Sequence, residues 1–146
     1  MLPELTIACC LLGVTVMIHA AGLAAVLRRL SGSSTPLDTF RRGTLVLVGV
    51  AWALLILHLV EIGLWALVYW WRRCLPDLES SLYFSGVTYT TLGYGDVLLP
   101  RDWRLLGPLE GLTGIMMSGL SVSFFFVVVS RIVAVRSEQK RAAPEA

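Results

Sequence analysis

Three long runs of apolar residues and one short run alternate with polar segments along the chain. The long runs extend from Leu5 to Leu27, from Thr44 to Trp71 and from Leu105 to Val135. Each exceeds the roughly 20 residues that an α-helix needs to cross a bilayer. The short run extends from Ser80 to Tyr89, and its length of about 10 residues is too small for a crossing. The pattern predicts three transmembrane helices and one re-entrant helix.

Charged and aromatic residues at the ends of these runs predict the orientation. Four Lys or Arg residues lie between the first and second runs, four at the C-terminal end, and four between the second and third runs. The side that contains the first linker and the C-terminus therefore has eight Lys or Arg residues, and the other side has four. This excess places the first linker and the C-terminus in the cytoplasm, with the N-terminus and the re-entrant segment outside. An aromatic belt at the end of the second run predicts an interface there, formed by Trp65, Tyr69, Trp70 and Trp71. The first six residues carry no basic side chain, which favours a retained membrane helix over a signal peptide.

Composition agrees with a membrane protein and argues against several functions. Hydrophobic residues make up 56% of the 146 residues, and the mean hydropathy is +0.75; soluble domains have roughly 45–50% apolar residues. The net charge is only +2, and no basic patch with interleaved aromatics points to nucleic acid. No phosphate loop, Ser/His/Asp set or metal-ligand cluster occurs in a water-accessible segment, which argues against an enzyme. No helix has arginine at every third position, so a voltage sensor of that type is absent.

The sequence T-L-G-Y-G-D, Thr91 to Asp96, follows the short run directly. Asp77 is a candidate N-cap for the short helix, and Glu79 complements the dipole of its first turn. Gly93 and Gly95 permit positive φ, and alternating such residues with others can turn successive carbonyls to one side. Several chains around one axis would then enclose a cation with rings of oxygen. This interpretation requires an oligomer.

The stretch S-L-Y-F-S-G-V-T-Y-T-T-L-G-Y-G-D, Ser81 to Asp96, resembles the pore helix and selectivity filter of the potassium channel superfamily. The fold class that this implies is an all-α membrane protein, with three transmembrane helices, a re-entrant pore helix and a selectivity-filter loop in a tetrameric pore. Small bacterial ion-channel proteins with one added helix are the most similar group, which implies a bacterial inner (plasma) membrane.

The resemblance also divides the chain into segments. The pore domain is expected at residues 44–135, with an outer helix 44–71, a pore helix 77–90, a filter 91–96 and an inner helix 105–135. Residues 1–30 are expected to form the extra N-terminal transmembrane helix. A cytoplasmic linker 31–43 and a short cytoplasmic tail 136–146 complete the organisation.

Residue roles follow from the same resemblance. Backbone carbonyls expected to bind K⁺ belong to Thr91, Leu92, Gly93 and Tyr94. The Thr91 hydroxyl would form the innermost site, and Gly95 would allow the final turn of the filter. Positions expected to support the filter are Thr90, Asp96, Tyr83, Phe84, Val87 and Glu110. The expected partners are the other copies of a homotetramer, the lipid bilayer and permeant K⁺, with no cofactor and no nucleic acid.

Three positions depart from the usual family pattern. Leu92 replaces a valine or isoleucine, which predicts looser packing behind the filter. Tyr83 and Phe84 occupy positions where a tryptophan pair is common, so the aromatic cuff is smaller.

The expected function is passive, potassium-selective conduction. A weakly selective cation channel and a non-conducting regulatory subunit remain alternatives.

The inner helix carries a weaker resemblance. Gly114 matches the spacing of the family's glycine hinge and Gly119 fits a second glycine, although glycine in a membrane helix also serves close packing. Residues expected to line the cavity or the gate are Ile115, Ser118, Val122 and Phe126. Phe124, Phe125 and Phe126 could narrow the cytoplasmic mouth, or pack as ordinary core or lipid-facing aromatics.

Four ionisable side chains lie inside the predicted spans, where such groups are rare. His19 and His58 are expected at similar depths between the first two spans, with Glu61 one turn above His58. They could hold helices in register as neutral groups, or sense protons. A metal site would need His19 as third ligand. Glu110 is expected either to brace the filter through a backbone amide or the hydroxyl of Thr88, Tyr89 or Thr90, or to reach water beside Arg104.

Overall fold

The computed structural model describes residues 2–32 and 40–142, and the regular structure of these residues is helical throughout. The helices are α1 (Leu2–Gly32), α2 (Phe40–Trp71), α3 (Leu78–Tyr89) and α4 (Leu106–Ala142), and a short 3₁₀ turn, Arg101–Trp103, precedes α4. Three segments are long and apolar enough to cross a membrane: Glu4–Gly32, Arg41–Trp71 and Arg101–Glu138. The predicted all-α class with three membrane-length helices is confirmed.

The helix ends differ from the predicted bounds mainly in the polar segments. α1 continues to Gly32 and α2 begins at Phe40, so both helices enter the predicted linker 31–43. Residues 33–39 of that linker and residues 143–146 of the tail lie outside the described residues. α4 continues to Ala142 instead of ending at Val135, because the added segment contains no glycine or proline and is rich in good helix formers.

The short helix α3 begins and ends at polar caps. The carboxylate of Asp77 accepts the backbone N–H of Ser80 at 2.7 Å, so the predicted N-cap is confirmed. Thr90 is the C-cap, and its hydroxyl donates to the Gly86 carbonyl at 2.6 Å. With 12 residues, α3 has less than the length of a crossing. The chain therefore turns back through the loop that follows.

Two clusters of apolar side chains hold the helices together. The larger cluster joins the N-terminal part of α1 to the C-terminal part of α2, and includes Ala8, Leu11, Trp65, Tyr69, Cys74, Leu75, Leu99 and Leu106. Trp65 and Tyr69 are fully buried in it, so their assignment to an interfacial belt is wrong; Trp70 and Trp71 are exposed. The smaller cluster, Val50, Leu54, Val128 and Ile132, lies at the other end, and Phe124 and Phe125 pack against it.

Glycines on α4 allow this helix to lie against the end of α3. A Cβ built at Gly107 would lie 3.7 Å from the Phe84 ring, and one at Gly111 would lie 3.4 Å from the Thr88 carbonyl oxygen. At Gly114 a Cβ would overlap the Tyr89 carbonyl oxygen. The backbones of α3 and α4 therefore approach most closely beside Tyr89, the residue that ends α3.

Candidate functional site

The loop after α3 has a backbone that alternates in handedness. Positive φ occurs at Thr91 (62°), Gly93 (55°) and Gly95 (78°), and the residues between them, Leu92 and Tyr94, are not among the positive-φ positions. Gly93 and Gly95 thus adopt the positive φ that their residue type permits. Threonine rarely adopts this region, which is why the residue type gives no signal for it at Thr91. Alternating conformations orient successive peptide groups alike, so that N–H groups collect on one side of the chain.

Hydrogen bonds show which way the peptide groups of this loop face. The amide of Thr91 donates to the Thr88 carbonyl at 2.9 Å. The amides of Leu92 and Gly93 donate to the Val87 carbonyl at 2.9 and 3.3 Å. In a planar trans peptide the C=O points opposite to the N–H. The carbonyls of Thr90, Thr91 and Leu92 therefore face away from the end of α3.

A second contact fixes the far end of the loop. The Tyr83 hydroxyl donates to Asp96 Oδ2 at 2.6 Å. This hydrogen bond holds the pKa of the Asp96 carboxyl below its ordinary value. A cleft of about 150 Å³ lies between α3 and the loop, lined by Tyr83, Phe84, Val87, Thr88, Gly93, Gly95, Asp96, Val97 and Leu98. The loop is thus tied to α3 at both ends.

The side chains of the loop and of one face of α4 are exposed in the single chain. Leu92 and Tyr94 are 59% and 66% exposed. The positions predicted to line a cavity, Ile115, Ser118, Val122 and Phe126, are also exposed, as is Gly119. Phe124 and Phe125 are partly buried core aromatics. Of the three phenylalanines, only Phe126 has a side chain free to line an opening.

Glu110 lies fully buried between three helices, but with different partners from those expected. Its Oε2 accepts the Tyr69 hydroxyl of α2 at 2.7 Å, and its Oε1 lies 2.5 Å from Ser85 Oγ of α3. The predicted direction, towards the pore helix, is right. The predicted partners are wrong, because the carboxylate meets α3 one turn before Thr88. Exposure beside Arg104 is also excluded, since Glu110 has no exposed surface.

We expect Glu110→Ala to destabilise the fold, and Glu110→Gln to do so much less. Alanine leaves the buried Tyr69 hydroxyl unpaired, at a cost of about 1–3 kcal/mol per chain, in addition to a cavity. A glutamine amide can donate to Ser85 Oγ while Ser85 keeps its 2.8 Å bond to the Ile62 carbonyl. The melting temperatures of the purified parent, Glu110→Gln and Glu110→Ala proteins measure this difference in stability. Glu138→Ala, at an exposed position of the same helix, is the control, and a Glu110→Ala protein as stable as this control contradicts the bracing role.

His19, His58 and Glu61 do meet, as the depth argument predicts. His19 Nδ1 lies 2.8 Å from Glu61 Oε1, and His58 Nδ1 lies 3.6 Å from Glu61 Oε2. Ligand atoms of the three residues lie within 4.8 Å of one another, a spacing that a divalent cation could bridge. Each of these atoms already has a hydrogen-bond partner. A cation could bind only by displacing the protons between them.

Three residues that form hydrogen bonds with the ionisable groups His19, His58, Glu61 and Glu110 had no signal in the sequence. Tyr69 belongs to an aromatic run that suggests an interface, and Ser121 is a single hydroxyl in an apolar helix. Tyr89 reads as part of the pore helix, yet its hydroxyl donates to Glu61. Their roles depend on how the helices are rotated about their axes, which spacing along one helix does not determine.

Comparison with known proteins finds a family match for the segment that contains α2, α3, the glycine loop and most of α4. A protein-family model described as an ion channel matches residues 44–131. The matched segment contains α2, α3, the glycine loop and α4 as far as Arg131, and leaves α1 outside. No curated protein and no solved structure matches the chain.

Proposed function

Because the chain belongs to this ion channel family, we propose that it forms a homotetrameric, potassium-selective channel through which K⁺ moves passively. The alternating backbone at Thr91, Gly93 and Gly95 supports this function most directly. The ion sites would be formed by the carbonyls of Thr91, Leu92, Gly93 and Tyr94. Such carbonyls can replace the water around a dehydrated cation.

The way the loop is held supports the same function. A selective site needs carbonyls that turn towards the ion path. The amides of Leu92 and Gly93 are anchored on the Val87 carbonyl, and Asp96 is anchored on Tyr83. The bonds to Val87 turn the carbonyls of Thr91 and Leu92, two of the four proposed ion ligands, away from α3.

The proposal requires four copies around one axis, because a single loop offers oxygen from one side only. The exposed loop side chains and the exposed face of α4 would be covered by neighbouring copies or would line the ion path. In the proposed orientation the N-terminus and the loop lie outside, and the C-terminus lies in the cytoplasm of a bacterium, at its inner membrane. Residues Gly114 and Gly119 are the proposed points of bending during gating.

Ion flux in vesicles tests the proposed function. Vesicles that contain the purified chain and are loaded with KCl should lose K⁺ when a protonophore provides the balancing proton current, while NaCl-loaded vesicles should not release Na⁺. We expect the rates to differ by at least about tenfold, a difference of roughly 1.4 kcal/mol. Equal rates would instead identify a weakly selective cation channel, and the absence of both fluxes a non-conducting subunit.

A further inference from the structure

Five polar side chains from all four helices form one hydrogen-bonded cluster, which we call the histidine cluster. They are His19 of α1, His58 and Glu61 of α2, Tyr89 of α3 and Ser121 of α4. His19 and Glu61 are fully buried, and Ser121 is 5% exposed. A cluster of this kind in an apolar interior must satisfy its own donors and acceptors.

The hydrogen-bond partners of Glu61 and Tyr89 determine which atoms on the Glu61 side of the cluster carry protons. An ionised carboxylate only accepts, so Glu61 accepts hydrogen bonds from His19 Nδ1, at 2.8 Å, and from the Tyr89 hydroxyl. Since the hydroxyl proton of Tyr89 points to Glu61, its oxygen accepts from His58 Nδ1 at 2.9 Å. Both Nδ1 atoms therefore carry protons.

The Ser121 side of the cluster then lacks one proton. Both Nε2 atoms face Ser121 Oγ, that of His19 at 3.3 Å and that of His58 at 3.0 Å. In two neutral imidazoles with protonated Nδ1 atoms, both Nε2 atoms are acceptors, but a hydroxyl has one proton to donate. One Nε2 would then have no partner within the cluster. An additional proton on either ring completes the set, because that ring donates to Ser121 Oγ and Ser121 donates to the other ring.

Charge balance requires the same proton. An ionised Glu61 without a compensating charge would be costly at this depth. The groups that face the histidines are Glu61 from α2 and Tyr89 from α3, and no described residue of α4 adds a titratable side chain to the cluster. Glu110 binds Tyr69 and Ser85 instead. Imidazole is a stronger base than a carboxylate, which places the additional proton on the histidines.

We infer that His19 and His58 share one bound proton through Ser121, and that this proton-binding site couples α1 to the base of the proposed filter. Tyr89 carries the coupling, because it ends α3, contacts both Glu61 and His58, and precedes Thr91 by two residues. When the proton leaves as the pH rises, Glu61 becomes uncompensated, and a neutral His58 is a weaker donor to the Tyr89 hydroxyl than a protonated one. The link to conduction rests on the proposed function, whereas the proton site itself does not.

Nitrogen NMR of the full chain tests the proton site without any current. The two histidines have four ring nitrogens, and ¹⁵N shifts separate protonated from bare nitrogens. At about pH 7, where a histidine can hold either charge state, the shared proton gives three protonated nitrogens and one bare nitrogen per chain. Two neutral rings give two of each, which overturns the inference, and so does a divalent metal that stays bound after purification.

Ser121→Ala removes the hydroxyl that accepts from the protonated ring, so the change from three and one to two and two is expected at a lower pH than in the parent. Ser123→Ala is the matched control, because the Ser123 hydroxyl donates at 2.8 Å to Gly119 of its own helix, and it should keep three and one. If the count in Ser121→Ala changes at the same pH as in the parent, the serine takes no part, which overturns the sharing.

The coupling to the filter is tested by K⁺ current in bilayers at about pH 6 and pH 9. We expect the parent and Ser123→Ala to lose about fivefold in current at the higher pH, the low end of usual coupling between two sites. The double variant His19→Gln/His58→Gln keeps amide donors for Glu61 and Tyr89 but has no ring that can bind the proton, so its current should not depend on pH over this range. A flat pH profile in the parent overturns the coupling. Absence of current at both pH values counts against the proposed function, while the nitrogen count still decides the proton site.

Discussion

Replacing Gly93 or Gly95 with alanine is expected to abolish selective K⁺ conduction while leaving the chain able to reach the membrane. Both glycines have φ in the left-handed region, at 55° and 78°. A residue with a Cβ costs about 1–2 kcal/mol there, and this cost would be repeated in each chain of the oligomer. The loop is expected to relieve the strain by rotating a peptide group, which turns a carbonyl away from the ion path.

The control for these variants is Gly86→Ala, a few residues away on α3. A Cβ at Gly86 meets no atom within 4 Å, and alanine is the better helix former by about 1 kcal/mol. The ratio of K⁺ to Na⁺ permeability should be kept in Gly86→Ala and lost in Gly93→Ala and Gly95→Ala. If both filter variants keep the parent's ratio, the ion sites are not built from these carbonyls.

Gly114→Ala is expected to destabilise the fold and to disturb the filter, because of the contact between α4 and Tyr89. The new Cβ would overlap the Tyr89 carbonyl oxygen and would lie 2.9 Å from its carbonyl carbon. These are backbone atoms, so the helices must separate. Such overpacking costs about 1–3 kcal/mol. The effect reaches the filter because Tyr89 lies two residues before Thr91.

The same variant separates packing from bending at Gly114. If Gly114 served only as a hinge, alanine would raise helix stability by about 1 kcal/mol and would leave the selectivity unchanged. On the packing account, the melting temperature and the K⁺/Na⁺ ratio both fall. Gly119→Ala is the matched control, because no atom lies within 4 Å of its Cβ position in the chain, and it should melt at the temperature of the parent or above.

The positions of the helices could be predicted from the local sequence pattern. The side-chain contacts between the helices could not. Run lengths predicted three spans and a helix too short to cross, and Asp77 marked where that helix starts, because capping depends on adjacent residues. Positive φ was predictable at Gly93 and Gly95 from residue type. At Thr91 it was not, since residue type gives no sign of the backbone hydrogen bonds from Thr91 to Thr88 and from Leu92 to Val87 that accompany it.

Contacts between helices depend on rotation and on shifts along the axis, to which the sequence pattern is insensitive. Depth alone brought His19 to the level of His58, with Glu61 one turn away, and the structure confirms that the three side chains meet. The same kind of argument failed for Glu110, because an offset of one turn exchanges Thr88 for Ser85 as the partner on α3. Tyr69 was misassigned because an aromatic residue near a helix end fits a membrane interface and a buried site equally well.

The reversal potential of the purified chain in planar bilayers tests the central claim most directly. With equal concentrations of K⁺ on one side and Na⁺ on the other, a pore lined by the carbonyls of Thr91 to Tyr94 should reverse at least about 60 mV from zero, at the polarity that opposes K⁺ flow, which corresponds to a permeability ratio of at least about ten. A current that reverses near zero under these opposed gradients would contradict the proposed potassium filter.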